Sequence, residues 1–348
     1  MLRLLPFHKI ETRNPGPLAR DGHGMIAVED QMYIAGGNSP KGPLKDLWKL
    51  DTSRREWKRL ADMSGLPRYS FSMHLLWKHY IIVFGGCPGI RNTNLMLNDL
   101  MIYDIENDGW TRKEYNQQSP IPKPRCRHGS NIIIRENGIA EMYVFGGYCG
   151  EGYKMKDVWK ATFTARGKDI DVLWERLPDM KRKTHRCFSF SLDDSVFLVG
   201  GFGRSVMKLQ EVIGSDQTIV THDLLNLPAS EKKAFRESKS LAGFGAVYDD
   251  IEQRLIVVGG GNVGHSDKRK QTNKPTKEFG PVDGCVMSKP RILYLKHNKD
   301  SKKYDEWKWT NHELYESLEK DYHLPKLLSW SATLIGTCGP CPAYVETP

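Results

Sequence analysis

Met142-Tyr143-Val144-Phe145-Gly146-Gly147 is a run of apolar, β-prone residues that stops on a glycine pair, and four other stretches repeat it. They are Met32-Tyr33-Ile34-Ala35-Gly36-Gly37, Ile81-Ile82-Val83-Phe84-Gly85-Gly86, Val196-Phe197-Leu198-Val199-Gly200-Gly201 and Leu255-Ile256-Val257-Val258-Gly259-Gly260. Successive first glycines lie 49, 61, 54 and 59 residues apart. Self-similarity at such a period marks an array of supersecondary units, so the repeat outranks any local assignment of structure. Each run is too short for an ordinary helix and is continuous rather than alternating, which predicts a strand buried on both faces. The glycine pair then permits a sharp turn at positive φ and the close approach of a neighbouring backbone.

Downstream of the first pair come Leu47-Trp48-Lys49-Leu50-Asp51 and Trp57, and downstream of the second Leu100-Met101-Ile102-Tyr103-Asp104 and Trp110, with six residues from each aspartate to its tryptophan. This predicts third and fourth strands joined by a turn, the indole packing against the next unit. The third repeat keeps Val158-Trp159 and Trp174, and the fifth keeps Ile292-Leu293-Tyr294 and Trp307. The fourth has no tryptophan, and its outer strands are placed near Ile219 to Leu227. Upstream, Pro17-Leu18-Ala19-Arg20-Asp21-Gly22-His23-Gly24 and Pro122-Lys123-Pro124-Arg125-Cys126-Arg127-His128-Gly129 share P-x-x-R-x-x-H-G. Arg182-Lys183-Thr184-His185 retains R-x-x-H, and Arg68, Lys239 and Lys326 supply the basic residue elsewhere.

On these residues the chain resembles the kelch-repeat superfamily, in particular kelch-domain-containing proteins whose blades open with P-x-x-R-x-x-H. The resemblance spans residues 17–335 and implies an all-β fold, a kelch β-propeller of five clear repeats plus a partial sixth blade. Leu324 to Ile335 reads as the first strand of that sixth blade, without a glycine pair after it. Residues 1–16 are expected to contribute a strand that closes the last blade, and 336–348 to form a tail.

A hydrophobic share of 39% and a charged share of 27% suit a globular protein with a sizeable core. The residues before Pro6 fall short of the ~7 to 15 apolar residues of a signal-peptide core, and no stretch approaches the ~20 of a membrane-spanning helix. The expected location is the cytoplasm or the nucleus, with no membrane partner. Seven scattered cysteines, an odd number, read as reduced thiols rather than a disulfide framework. The net charge of +9 favours acidic partners, whereas a nucleic-acid partner is not expected.

Two motifs imitate enzyme sites. Gly259-Gly260-Gly261-Asn262-Val263-Gly264 satisfies G-x-G-x-x-G, but it coincides with the fifth repeat and no apolar helical face follows it. Cys338-Gly339-Pro340-Cys341 matches a redox tetrapeptide without room for the helix that would activate its first thiol. No catalytic residue, cofactor or metal site is therefore expected. His23, His128 and His185 recur with the repeat, which favours a structural role for each.

In a four-stranded blade, the loop leading into the first strand and the loop after the second open on the same face. The former bring Arg20, Ser70, Arg127 and Thr184 to one mouth, and the latter bring Asn38, Tyr148, Phe202 and Arg204. The expected ligand-binding set is Arg20, Asn38, Ser70, Arg127, Tyr148, Phe202 and Arg204, because arginine forks and aromatic faces dominate recognition surfaces. Resemblance to kelch adaptors that hold peptide degrons implies a protein-binding adaptor or scaffold, one form of which is the substrate receptor of a ubiquitin ligase. Its ligand would be an acidic or carboxylate-terminated peptide, with Arg127 where such adaptors place a substrate-binding arginine. Arg20, Arg125 and Arg182 read instead as fasteners to backbone carbonyls, a role also open to Arg127. An actin-binding or other structural scaffold and an enzyme using the channel are the alternatives. A basic insert between Gly260 and Arg291, carrying Lys268, Arg269, Lys270, Lys274 and Lys277, reads as an import signal, an acidic-partner contact or a solvated loop.

Overall fold

Short apolar runs separated by turn residues fold here into consecutive antiparallel meanders. The computed structural model describes residues 11–89, 95–115, 120–150, 153–167, 169–192, 195–200, 209–213, 241–249, 254–262, 293–296 and 308–311. The first blade holds β1 (Gly24–Val28), β2 (Gln31–Ser39), β3 (Gly42–Asp51) and β4 (Glu56–Leu60), and the second β5 (Ser72–Leu76), β6 (Tyr80–Gly86), β7 (Leu97–Asp104) and β8 (Gly109–Lys113). The third holds β9 (Gly129–Ile134), β10 (Ala140–Tyr148), β11 (Lys154–Arg166) and β12 (Asp169–Leu177). The fourth shows β13 (Cys187–Leu192), β14 (Ser195–Gly200) and β15 (Leu209–Ile213), and the fifth β16 (Leu241–Asp249), β17 (Arg254–Asn262), β18 (Leu293–Lys296) and β19 (Lys308–Asn311). Within each sheet the strands pair in sequence order. First strands of successive blades lie side by side, β1 by β5, β5 by β9, β9 by β13 and β13 by β16. All described elements are strands, an all-β architecture of successive antiparallel sheets.

The aspartates that end the third strands fold the following turns. Asp51 Oδ1 accepts from the Arg54 N–H at 2.8 Å, and Asp104 Oδ1 accepts from Glu106 and Asn107 N–H at 3.0 and 3.1 Å. A short acceptor side chain that satisfies nearby N–H groups is what turn-forming aspartates supply.

At the first three glycine pairs the ladder to the third strand slips by a residue, between Ala35 and Gly37, Phe84 and Gly86, and Phe145 and Gly147. The first glycines take φ of 52°, 69° and 53°. A Cβ on Gly36, Gly85 or Gly146 would sit 2.7, 2.8 or 2.7 Å from the carbonyl oxygen of Arg68, Arg125 or Thr184, each in the lead-in to the following blade. The pair is therefore a bulge shaped to accept the next blade, which is why only glycine fits.

The core lies between blades. Tyr33, Ala35 and Leu47 of the first pack on Met73, Ile81, Val83 and Met101 of the second. Leu76, Ile82 and Phe84 of the second pack on Met142, Val144 and Phe163 of the third. Tyr143, Phe145 and Val158 of the third meet Val196 and Leu198 of the fourth.

The tryptophans correct one expectation, since they pack backward and not on the next unit. Trp110 of β8 donates Nε1 to the Ala61 carbonyl at 2.9 Å and joins the cluster shared with the first blade. Trp174 of β12 lies 5.0 Å from Phe84 of the second blade. Trp57 lies on the face of its blade away from the second, its backbone N–H bonded to Asn14 Oδ1 at 2.7 Å. In the fourth blade the third strand is Leu209–Ile213, ahead of the region near Ile219 to Leu227 expected for it, which lies outside the described residues. Also outside them are Leu4 to Ile10, the insert from 263, the sixth-blade segment, the tail with its two cysteines, Phe202 and Arg204.

Candidate binding mouth

The lead-ins of the second, third and fourth blades are fixed by backbone to the blade before, and those of the first three by an arginine side chain to their own blade. Arg68 N–H donates to Leu44 O at 2.9 Å, and Arg68 O accepts from Gly37 N–H at 2.9 Å. Arg125 repeats this with Leu97 and Gly86, and Thr184 with Met155 and Gly147. The guanidiniums then turn inward. Arg20 reaches the Gly36 carbonyl at 2.8 Å and both oxygens of Asp46 at 2.6 and 2.8 Å. Arg68 reaches the Gly85 carbonyl at 3.1 Å and Asp99 at 2.8 Å through both nitrogens. Arg125 reaches the Gly146 carbonyl at 2.8 Å and Asp157 at 3.1 and 2.8 Å. Burial raises the Asp46 and Asp157 carboxyls, but the hydrogen bonds and charge of Arg20 and Arg125 outweigh it and hold both below the usual carboxylate range. A forked arginine on a carboxylate is the strongest common pairing of side chains, and here it locks each glycine bulge to its own third strand.

Two residues past each fastener the chain enters the left-handed region, at Gly22 (φ 60°), Ser70 (56°), Arg127 (54°) and Arg186 (56°). These four are linked in order around the axis. Ser70 N–H donates to Gly22 O at 2.7 Å, Arg127 N–H to Ser70 O at 2.9 Å, and Arg186 N–H to Arg127 O at 2.7 Å. The register agrees: Gly24, Ser72, Gly129 and Phe188, two residues further on, pair with Ala35, Phe84, Phe145 and Val199, each just before a glycine pair.

This register corrects the reading of the fourth lead-in. Thr184, not Arg182, stands in the fastener position, and Arg182 is exposed. Cys187, not His185, stands where His23 and His128 do, and Arg186 is the counterpart of Arg127.

The expected mouth residues fall as follows. Ser70 and Arg127 lie in the axial ring, and Asn38 and Tyr148 border it through backbone bridges to Asp21 and Cys126. Arg20 is close by, but its guanidinium is only 1% exposed and is committed to Asp46. The arginine that sequence reading missed is Arg186.

Arg127 and Arg186 are half-buried neighbours, and among the described residues neither guanidinium has a carboxylate within ion-pair distance. Burial, and next the charge of Arg127, lower the pKa of Arg186. Burial raises the Asp21 carboxyl while both arginines pull it down. His185 falls to about 4 through burial, then through Lys154, Arg186 and Arg127. Burial pushes the Cys126 thiol up to about 11, which makes it a poor nucleophile.

Deeper along the axis, His128 Nε2 lies 3.1 Å from Ser72 Oγ, and His74 Nε2 lies 2.8 Å from Ser130 Oγ. Both pairs tie the second blade to the third. Burial lowers His74 to about 4, and burial followed by the charge of Arg125 lowers His128 to about 3. Among the described residues no group of three His, Cys, Asp or Glu side chains is arranged to hold a metal. A separate groove of about 550 Å³ on the flank of the first blade is lined by Leu18, Pro43, Trp48, Arg59, Asp62 and Pro67. Its two outer charges, Arg59 and Asp62, pair with each other at 2.9 Å.

Residues 5–138 match the KLHDC2/KLHL20/DRC7 Kelch-repeats domain family. The chain is 28% identical over 167 residues to the leucine-zipper-like transcriptional regulator 1 homolog of Drosophila melanogaster, covering 46% of this chain and 16% of that protein. It is 28% identical over 158 residues to the Rab9 effector protein with kelch motifs of Bos taurus, covering 43% and 40%. It is 26% identical over 162 residues to the kelch domain-containing protein 10 of Xenopus tropicalis, covering 43% and 38%. The matched segments thus span 16% to 40% of these relatives' lengths. Glycine-paired meanders that follow one another in sequence and pack face to face define a kelch-type β-propeller. The family match over residues 5–138 and these similarities support the kelch-repeat superfamily for the chain.

Proposed function

We propose that the protein is a binding adaptor or scaffold that holds a peptide segment of a protein partner at the mouth, with Arg127 and Arg186 gripping a carboxylate of that segment. One observation carries the reading: the fastener arginines Arg20, Arg68 and Arg125 each fork a carboxylate of their own blade, whereas Arg127 and Arg186 are neighbours in the lead-ins with no carboxylate within ion-pair distance among the described residues. Like charges held together at a strained backbone position are stabilised when an anion enters between them. The kelch relatives support a role in protein interaction, and one of them is named a Rab9 effector. Asn38, Ser70 and Tyr148 would complete the floor and rim, and Phe202 and Arg204 are assigned to the same mouth from sequence.

The experiment is to identify partners by proximity labelling and to measure the affinity of the best of them for wild-type protein and for Arg127→Gly. Hydrogen bonds to charged groups contribute about 1.5 to 3 kcal/mol, so affinity should fall about 10- to 150-fold. Unchanged affinity would move the site elsewhere. The finer assignment, a ubiquitin-ligase substrate receptor acting in the cytoplasm or nucleus, predicts a cullin-type ligase subunit among the labelled proteins. Cosedimentation with filaments would favour the structural scaffold instead.

A further inference from the structure

The segment between the third and fourth blades lies along β11. Met180 N–H donates to Lys156 O at 2.8 Å, and Thr184 N–H to Met155 O at 3.0 Å. This pairing sets Lys181, Arg182 and Lys183, all exposed, beside Lys154 and Lys156, also exposed. Among the described residues the one carboxylate within ion-pair distance of these five cations is Asp179, 3.5 Å from Lys156 and shared with Arg176 at 3.0 Å. The patch runs into the mouth, since Lys154 acts electrostatically on His185, which also feels Arg186 and Arg127. Positive charge therefore extends from Arg127 and Arg186 outward over the boundary of two blades, with Asp21 near its inner end and Asp179 beside Lys156.

We infer that this strip is a docking surface for an acidic segment of a protein partner, laid outward from the mouth. The inference rests on the mouth reading and extends it: the bound segment carries Asp or Glu residues beside the part that enters the mouth. Its geometry fits an extended chain. Lys154 and Lys156 are alternate residues of one strand, about 7 Å apart, and an extended peptide presents alternate carboxylates at the same spacing. The inner end of the strip is the run of four linked backbone turns at Gly22, Ser70, Arg127 and Arg186. Charge of this kind steers encounter and fixes direction, and salt weakens it.

The test uses a fluorescein-labelled peptide of alternating glutamate and serine with an amidated carboxyl terminus, followed by anisotropy at low ionic strength. Exposed pairs are individually weak, so reversing three of them together (Lys181→Glu, Arg182→Glu, Lys183→Glu) should weaken binding about tenfold. A control reversal of equal charge on outer positions (Arg54→Glu, Lys58→Glu, Arg112→Glu) should change it less than about twofold. Equal losses in the two triples would reduce the effect to net charge and overturn the proposal. So would a single-stranded oligothymidylate that binds as tightly as the peptide and shows the same dependence on the strip. Should the reversed triple fail to fold, the Gln triple at 181–183 carries the test, with a smaller loss expected and no loss contradicting. The amidated peptide has no terminal carboxylate, so Arg127→Gly should change its affinity less than the strip reversal does. Loss of the strip effect with Arg127 dependence intact for the natural partner would refute the strip alone, and the converse would refute the mouth alone.

Discussion

Arg127 and Arg186 hold a backbone conformation that costs an L-residue about 1 to 2 kcal/mol, and Gly22 shows that the ring forms as well with glycine. Arg127→Gly should therefore leave the melting temperature unchanged or raise it slightly while affinity falls, whereas a fastener should behave in the opposite way. Arg68→Ala strands Asp99 and the Gly85 carbonyl in a buried place and should cost about 3 to 5 kcal/mol in denaturant unfolding. If Arg127→Gly instead lowers stability as Arg68→Ala does, Arg127 is a fastener and the mouth loses its anchor. The axial histidines add a pH dependence. In the unfolded chain they take up protons near pH 6.5, but in the folded protein His74 holds out to about 4 and His128 to about 3. A depressed folded pKa means that the unfolded state binds more protons, so stability is full above about pH 6.5 and falls as the pH drops toward 4. Each histidine contributes a slope of up to about 1.4 kcal/mol per pH unit there. Urea unfolding at pH 7 and pH 5 measures it, and equal stabilities would mean that these rings are hydrated and protonate freely.

At the scale of the element, the bulge and the fastener act as one joint. Gly146 accepts the Thr184 carbonyl where a Cβ would sit 2.7 Å away, while Gly138, also at positive φ, has nothing within 4 Å. Alanine at either position costs about 1 kcal/mol for the backbone, but Gly146→Ala should cost at least about 1 kcal/mol more, because it pushes the fourth blade off the third. Thermal melts of the two variants compare them directly, and equal losses would deny the joint. Much of this joint is legible in sequence, because glycine pairs, turn aspartates and P-x-x-R segments each answer a local backbone demand. Its acceptors are not. Asp46, Asp99 and Asp157 follow their first glycines by 10, 14 and 11 residues, and loops of differing length between second and third strands hide the common partner. The same lack of a fixed ruler misleads at the fourth lead-in, where R-x-x-H at Arg182 falls two residues early and conceals Arg186. Which neighbour a tryptophan covers depends on which face of the fourth strand meets the preceding blade, and spacing along one chain carries no record of that.

Across the whole molecule, the blades place the lead-ins and post-glycine residues on one face and the aspartate-capped turns on the other. Of the residues expected there from sequence, Ser70 and Arg127 lie among the linked turns and Asn38 and Tyr148 border them, whereas Arg20 is taken up by Asp46. In the function proposed above, this face, and not the outer strands or the flank groove, meets the partner. Hydrogen–deuterium exchange of the protein with and without its captured partner tests it most directly. Protection is predicted at the lead-ins around Gly22, Ser70, Arg127 and Arg186 and along residues 180–184, with β4, β8 and β12 unchanged. Protection confined to those outer strands, with the four lead-ins exchanging as in the free protein, would contradict it.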